Sequence, residues 1–169
     1  MGSKLKLGLI VGTLLAAASV AVAAASSAST GPRSGSDERR SVVLRLVATE
    51  VQSTFLDLGD PDFSQGDQFV FSNDLLRKGK KIGEDGGMCL VTRLTAEGAA
   101  TFKCVGSNVL PGGQITVQGI VTYGPGEEVK SEPYFFAITG GTGRYKTARG
   151  QVKIEETAGD DRITLLVRL

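Results

Sequence analysis

The sequence predicts an all-β fold, an eight-stranded antiparallel β-barrel, on three observations. From Ser41 onward the chain breaks into eight short runs rich in Val, Ile, Phe and Thr, separated by Gly, Asp, Asn and Pro. Most of these runs alternate apolar and polar residues with the period of two that suits a half-buried strand, and none has the period of a long helix. The last run reaches Leu169, and closing such strands into a barrel removes their exposed edges. A β-sandwich satisfies the same alternation and remains the alternative.

The first strand, Val42 to Gln52, puts Leu44, Leu46, Ala48, Glu50 and Gln52 on one face and Arg45 and Thr49 on the other. In the second, Gln68 to Asn73, the shared face carries Phe69, Phe71 and Asn73. The third, Gly87 to Leu94, and the fourth, Ala99 to Val105, flank a tight turn at Ala96-Glu97-Gly98. If Thr95 faces Gly98 in that hairpin, the same register sets Cys89 opposite Cys104, at a spacing a disulfide can bridge. Two buried free thiols are the other reading, since a directly opposed cross-strand disulfide carries strain. Gln114 to Tyr123 lines up Ile115, Val117, Gly119, Val121 and Tyr123 against Thr116, Gln118 and Thr122. Pro133 to Thr139, Gly150 to Glu156 and Arg162 to Leu169 complete the set.

Two other stretches invite functional readings that their spacing does not support. Gly140-Gly141-Thr142-Gly143-Arg144 lacks the Gly-Lys-Ser/Thr ending of a phosphate loop and has no amphipathic helix after it, so it reads as a tight turn needing positive φ. Lys78-Gly79-Lys80-Lys81, close to Glu84 and Asp85, reads as a solvated hairpin loop.

Ahead of the strands, residues 1–28 resemble a secretory signal: Lys4 and Lys6 precede an apolar stretch from Leu7 to Val22, and Ala21-Val22-Ala23 or Ala23-Ala24-Ala25 offers a cleavage site. A retained anchor is the alternative, but the Ala, Gly and Ser content makes the stretch weakly hydrophobic. Residues 29–40 are rich in Ser, Gly and charge with no apolar period, as in a flexible linker, leaving 41–169 as the folded domain. The expected location is therefore extracellular.

Nineteen Lys plus Arg against eighteen Asp plus Glu give a formal net charge of +1, too little to attract nucleic acid, or a membrane once the signal is gone. There is no histidine, which removes Ser-His-Asp and Cys-His pairings and histidine-based zinc sites. Neither a metal nor a cofactor is expected. Chemistry must come from carboxylates, Tyr, Cys, Lys or backbone dipoles.

Four segments, in order, resemble plant allene oxide cyclases: Gly66-Asp67-Gln68-Phe69-Val70-Phe71-Ser72-Asn73; Gly87-Met88-Cys89-Leu90-Val91; Ile115-Thr116-Val117-Gln118-Gly119 with Thr122-Tyr123; and Phe136-Ala137-Ile138-Thr139-Gly140-Gly141-Thr142-Gly143. The last of these, continued by Ala148-Arg149-Gly150, also resembles dirigent proteins. The resemblance implies an eight-stranded barrel around a cavity, often a homotrimer. It further implies either cyclisation of a reactive lipophile or, as in dirigent proteins, non-catalytic steering of phenolic or lipid intermediates. The cyclase glutamate falls on Glu50, and pocket residues fall on Phe71, Asn73, Cys89 and Tyr123. Gln52 stands where the cyclase has Asn, and its Ser-Pro is matched by Asp60-Pro61 after a longer gap.

Resemblance and alternation together make Glu50 and Tyr123 the candidate catalytic pair. The alternatives are a Glu50 at the strand end in contact with water or paired with a lysine, and a Tyr123 that is a rim residue with no ligand. A carboxylate facing an apolar interior costs free energy unless it is hydrogen-bonded, paired or kept for function. Tyr123 offers a phenol, and Asn73 an amide that can orient a ligand oxygen or a water. With Gln52, Phe69, Phe71, Cys89 and Val121 they make a sparse polar set in an apolar wall, the pattern of a small-molecule pocket. The expected function is that of a secreted, cofactor-free isomerase or cyclase acting on a small lipophilic substrate. A filled interior with no ligand is what a purely structural barrel would show.

Overall fold

Eight strands pair in sequence order and β1 returns to β8, so the sheet closes on itself. The fold comes from a computed structural model that describes residues 40–59 and 63–169. The expected signal, the linker and the Asp60-Pro61 pair lie outside those residues, except for Arg40. The strands are β1 (Ser41–Leu56), β2 (Gln68–Arg77), β3 (Lys80–Leu94), β4 (Ala100–Leu110), β5 (Gly113–Tyr123), β6 (Tyr134–Gly141), β7 (Arg149–Glu155) and β8 (Asp161–Arg168). A short 3-10 turn, η1 (Gly143–Tyr145), lies between β6 and β7.

All eight predicted strands are present, and β2, expected to end at Asn73, continues to Arg77; three others also run well past their expected bounds. β1 continues to Leu56, β3 starts at Lys80, and β4 reaches Leu110. The basic run is the β2–β3 hairpin tip, where Lys78 and Gly79 both have positive φ, 51° and 75°. The glycine-rich stretch is a turn: Gly143 has φ 56° and opens η1. Antiparallel neighbours all round make the alternation uniform, with one set of side chains in the lumen and the other outside.

The lumen is divided by its contents. Toward the end where β2, β4 and β8 finish, Leu75, Ile115 and Leu165 are fully buried, with Leu110, Ile138 and Val167 packed beside them. Tyr145 of η1 is buried in the same cluster, and Arg144 N–H donates to the Gly112 carbonyl at 2.8 Å, which ties η1 to the β4–β5 hairpin. That end is filled. Midway along the lumen, Phe136 lies over Gly119 so closely that a Cβ there would stand 1.9 Å from the ring. Beyond this level the side chains draw back.

Two departures from regular pairing decide which residues face inward. In β1 the register slips between Glu50 and Gln52, leaving Val51 as a bulge. The inward set therefore changes from even to odd numbers, and Phe55 turns in opposite Phe69. In the β3–β4 hairpin Thr95 N–H donates to the carbonyl of Ala99, not of Gly98, but a second slip between Val91 and Arg93 restores the register beneath it. Cys89 and Cys104 are consequently opposed, and they form a disulfide. This resolves the choice between disulfide and free thiols.

Candidate functional site

At the end opposite the filled one, a cavity of about 480 Å³ opens to solvent. Its size lies within the range usual for small-molecule pockets. Glu50, Phe69, Phe71, Asn73, Cys89, Val121 and Tyr123 all line it. Gln52 does not: the bulge at Val51 turns it off the face it was expected to share with Glu50, and it is exposed. Cys89 contributes to the wall as half of a disulfide, with Cys104 beside it.

Most of the wall is aromatic. Phe63, from the segment between β1 and β2, lies between Phe55 and Phe102, with ring centroids 5.4 and 5.8 Å away. Phe102 meets Tyr123 edge to face at 5.6 Å, and Phe69 stacks on Phe71 at 5.8 Å. Tyr134 leans on Phe136 at 5.3 Å. Phe63 is held in place through Asp67, a fully buried carboxylate. It accepts hydrogen bonds from Leu58 N–H at 2.9 Å and from Ser64 N–H at 2.7 Å. Those backbone donors, with the Ser64 hydroxyl, hold its pKa below the ordinary carboxylate value despite the cost of burial.

The polar groups sit among these rings. Glu156, just after β7, accepts hydrogen bonds on Oε1 from the hydroxyls of Tyr123 and Tyr134, the latter at 2.6 Å. Its Oε2 accepts from Lys130 N–H at 2.8 Å. Burial, reinforced by the hydrogen bond to Glu156, raises the pKa of both phenols, so each keeps its proton. The phenol of Tyr123 was expected to donate into the pocket, but its proton is engaged with Glu156.

Asp161 opens β8 and lines the same cavity. Burial pushes its pKa up to about 6, and the nearby negative charges of Glu156, Asp85 and Asp160 add to that, against one hydrogen bond from Thr157 N–H at 3.2 Å. Asp85 on β3 is raised too, chiefly by burial, although Asn73 donates to it at 2.8 Å. Glu50 pairs with Asn73 across β1 and β2 and accepts from the Ser53 hydroxyl at 2.9 Å, its side chain exposed at the cavity wall. Among the described residues no cluster of carboxylates and cysteines is arranged to hold a metal ion.

Sequence reasoning missed Asp85, Tyr134, Glu156 and Asp161, although strand parity extends to two of them. Glu156 continues the inward parity of Val152 and Ile154, and Asp161 that of Ile163 and Leu165. Both stand one position beyond where apolar alternation ends, and Asp85 precedes the residue at which β3 was expected to begin. Phe63 had no periodic signal, because it belongs to no strand.

Fold and site together define a closed antiparallel barrel plugged at one end and open at the other into an aromatic cup with carboxylates in its wall. The chain belongs to the allene oxide cyclase barrel like domain family, whose family model matches residues 47–167. Among solved structures, one described as a pyocyanin demethylase is 28% identical, covers 74% of this chain and 99% of its own, and superposes with a TM-score of 0.64. The Diels-Alderase AbmU from Streptomyces koyangensis shares the fold at 21% identity, over 79% of this chain and 70% of its own, with a TM-score of 0.63. The exo-specific intermolecular Diels-Alderase AbnU does so at 16% identity, over 76% of this chain and 97% of its own, with a TM-score of 0.59. No curated protein matches the chain.

Proposed function

We propose that this protein is an exported isomerase or cyclase that folds a small lipophilic molecule inside the cup and needs no cofactor to do so. The observation that carries the reading is the unfilled cavity of about 480 Å³, whose wall is built of aromatic rings with carboxylates set among them. Such a cavity selects one folded conformer of a reactive molecule and keeps water away while bonds rearrange, which together can lower a barrier substantially. Glu50 is the proposed acid–base or charge-stabilising group, since it lines the cavity on a strand, is open to an incoming molecule and carries one side-chain hydrogen bond, from Ser53. Tyr123 acts with Glu156 as a fixed dipole beside the reacting atoms, its proton already directed. Relatives of the same fold described as Diels-Alderases lend support at the level of reaction type.

The test begins with native mass spectrometry of the protein recovered from its producer's medium, which reads any retained small molecule and the assembly mass together. Incubating the precursor of that molecule with wild type and with Glu50→Gln should show turnover reduced at least about tenfold in the variant. A molecule bound and released unchanged, indifferent to Glu50→Gln, would instead favour the dirigent-like reading of capture without catalysis. That second reading draws on Glu156, whose two oxygens are already engaged by three donors.

A homotrimer is part of the proposal. Val70, Met88 and Val105 are cross-strand neighbours on the outer surface of β2, β3 and β4, and Val109 and Ile120 lie on the same side, all exposed. An apolar outer face of this kind commonly marks an interface. The assembly mass should be three times that of the mature chain, and Val105→Glu should reduce it to the monomer.

A further inference from the structure

The cup has a one-sided charge. Among the described residues six carboxylates line it, those of Glu50, Asp85, Glu127, Glu128, Glu156 and Asp161, and no lysine or arginine does. Lys130 stands beside the lining residues Glu127 and Tyr123, and it is already committed there. Its ammonium pairs with Glu127 at 2.8 Å and lies 5.6 Å from the centre of the Tyr123 ring. The protein thus places one of its own cations against a carboxylate and an aromatic face at the edge of the cavity. Deeper in, carboxylates and rings recur without a base.

We infer that the ligand of this cavity is a flat aromatic molecule carrying a positive charge on, or next to, its ring system. The inference rests on the ligand-handling role proposed above and adds the charge and shape of what is handled. Shape follows from the wall: Phe55, Phe63, Phe102 and Tyr123 form a continuous series of ring contacts, which a planar ring system can join by stacking. Charge follows from the carboxylates. Asp85, Glu156 and Asp161 repel one another in a partly desolvated space, and an incoming cation relieves that repulsion while gaining attraction to the ring faces. A neutral ligand of the same shape leaves the repulsion in place, and an anion adds to it. An acidic lipid, whose carboxylate would need a cationic partner inside the cup, is therefore a poor fit.

Three probes of one size and shape separate these cases: N-methylquinolinium, methylnaphthalene and naphthoate, each titrated calorimetrically into the intact protein at neutral pH. The cation should bind at least about tenfold more tightly than its neutral isostere, and naphthoate should not bind measurably. In the double variant Glu50→Gln/Asp161→Asn the cation should lose that advantage while methylnaphthalene binds as before, which also shows that the variant is folded. Methylnaphthalene binding as tightly as the cation, or naphthoate binding at all, would overturn the charge assignment and leave the ligand-handling role standing. Failure of all three probes to bind would overturn both.

Discussion

Asp161 shows how a single side chain in a cavity wall can cost stability. Its pKa in the folded protein is pushed up to about 6 from an ordinary 3.8, so the folded state binds a proton more tightly than the unfolded chain does. For a group raised in this way, protonation favours folding: its most favourable contribution is present below about pH 4 and is lost as the pH rises through about 6. Asp161→Asn should therefore raise the melting temperature at pH 7 and make little difference at pH 4, which thermal unfolding at the two values would check. The same titration has the opposite sign for ligand. The groups that face Asp161 are Glu156 from just after β7 and Asp85 from β3, with Asp160 beside it, and Thr157 N–H is its donor. Binding of N-methylquinolinium should weaken as the pH falls below about 6, when that carboxylate becomes neutral. Tyr134→Phe tests a neighbouring link. It removes one of three donors to the half-buried Glu156 carboxylate and should cost about 1–3 kcal/mol in urea unfolding.

Between strands, the most sensitive contact is the one Gly119 makes possible. Phe136 occupies the space that a side chain on β5 would take, so Gly119→Ala must displace either the ring or the strand. A loss of about 1–3 kcal/mol is expected, measured by chemical denaturation, with a change in the cavity because Phe136 forms part of its wall. The disulfide joins adjacent strands across a separation of 15 residues, and replacing both cysteines by alanine should cost about 2–4 kcal/mol. How far elements could be read from sequence depended on the slips between them. Periodicity located all eight strands, because each alternates against a single core. It failed at Gln52 because a bulge inserts one unpaired residue, and nothing in the alternation of Val51 and Gln52 announces the extra one. The opposition of Cys89 and Cys104 was reached from a turn one residue tighter than the real one, and came out right because the slip between Val91 and Arg93 compensates. Aromatic and apolar lining residues such as Phe71 and Val121 were legible, since period two assigns their face. The carboxylates after β7 and at the head of β8 were not, because polar residues at strand ends ordinarily mark exit into solvent.

At the scale of the molecule, the barrel divides its labour along its axis. Leu75, Ile115 and Leu165 hold one half together by complete burial, and the other half can then carry unfilled space and unfavourable charge. That division matches the general finding that ligand sites draw on stability supplied elsewhere in the fold. It also limits traffic. With Tyr145 and its neighbours closing the far end, the barrel is a bucket and not a tunnel: anything that enters must back out through the same doorway. A departing molecule and an arriving one cannot pass each other, so whatever the barrel releases should compete with whatever it takes in, and its pace at high supply should follow how fast the doorway clears.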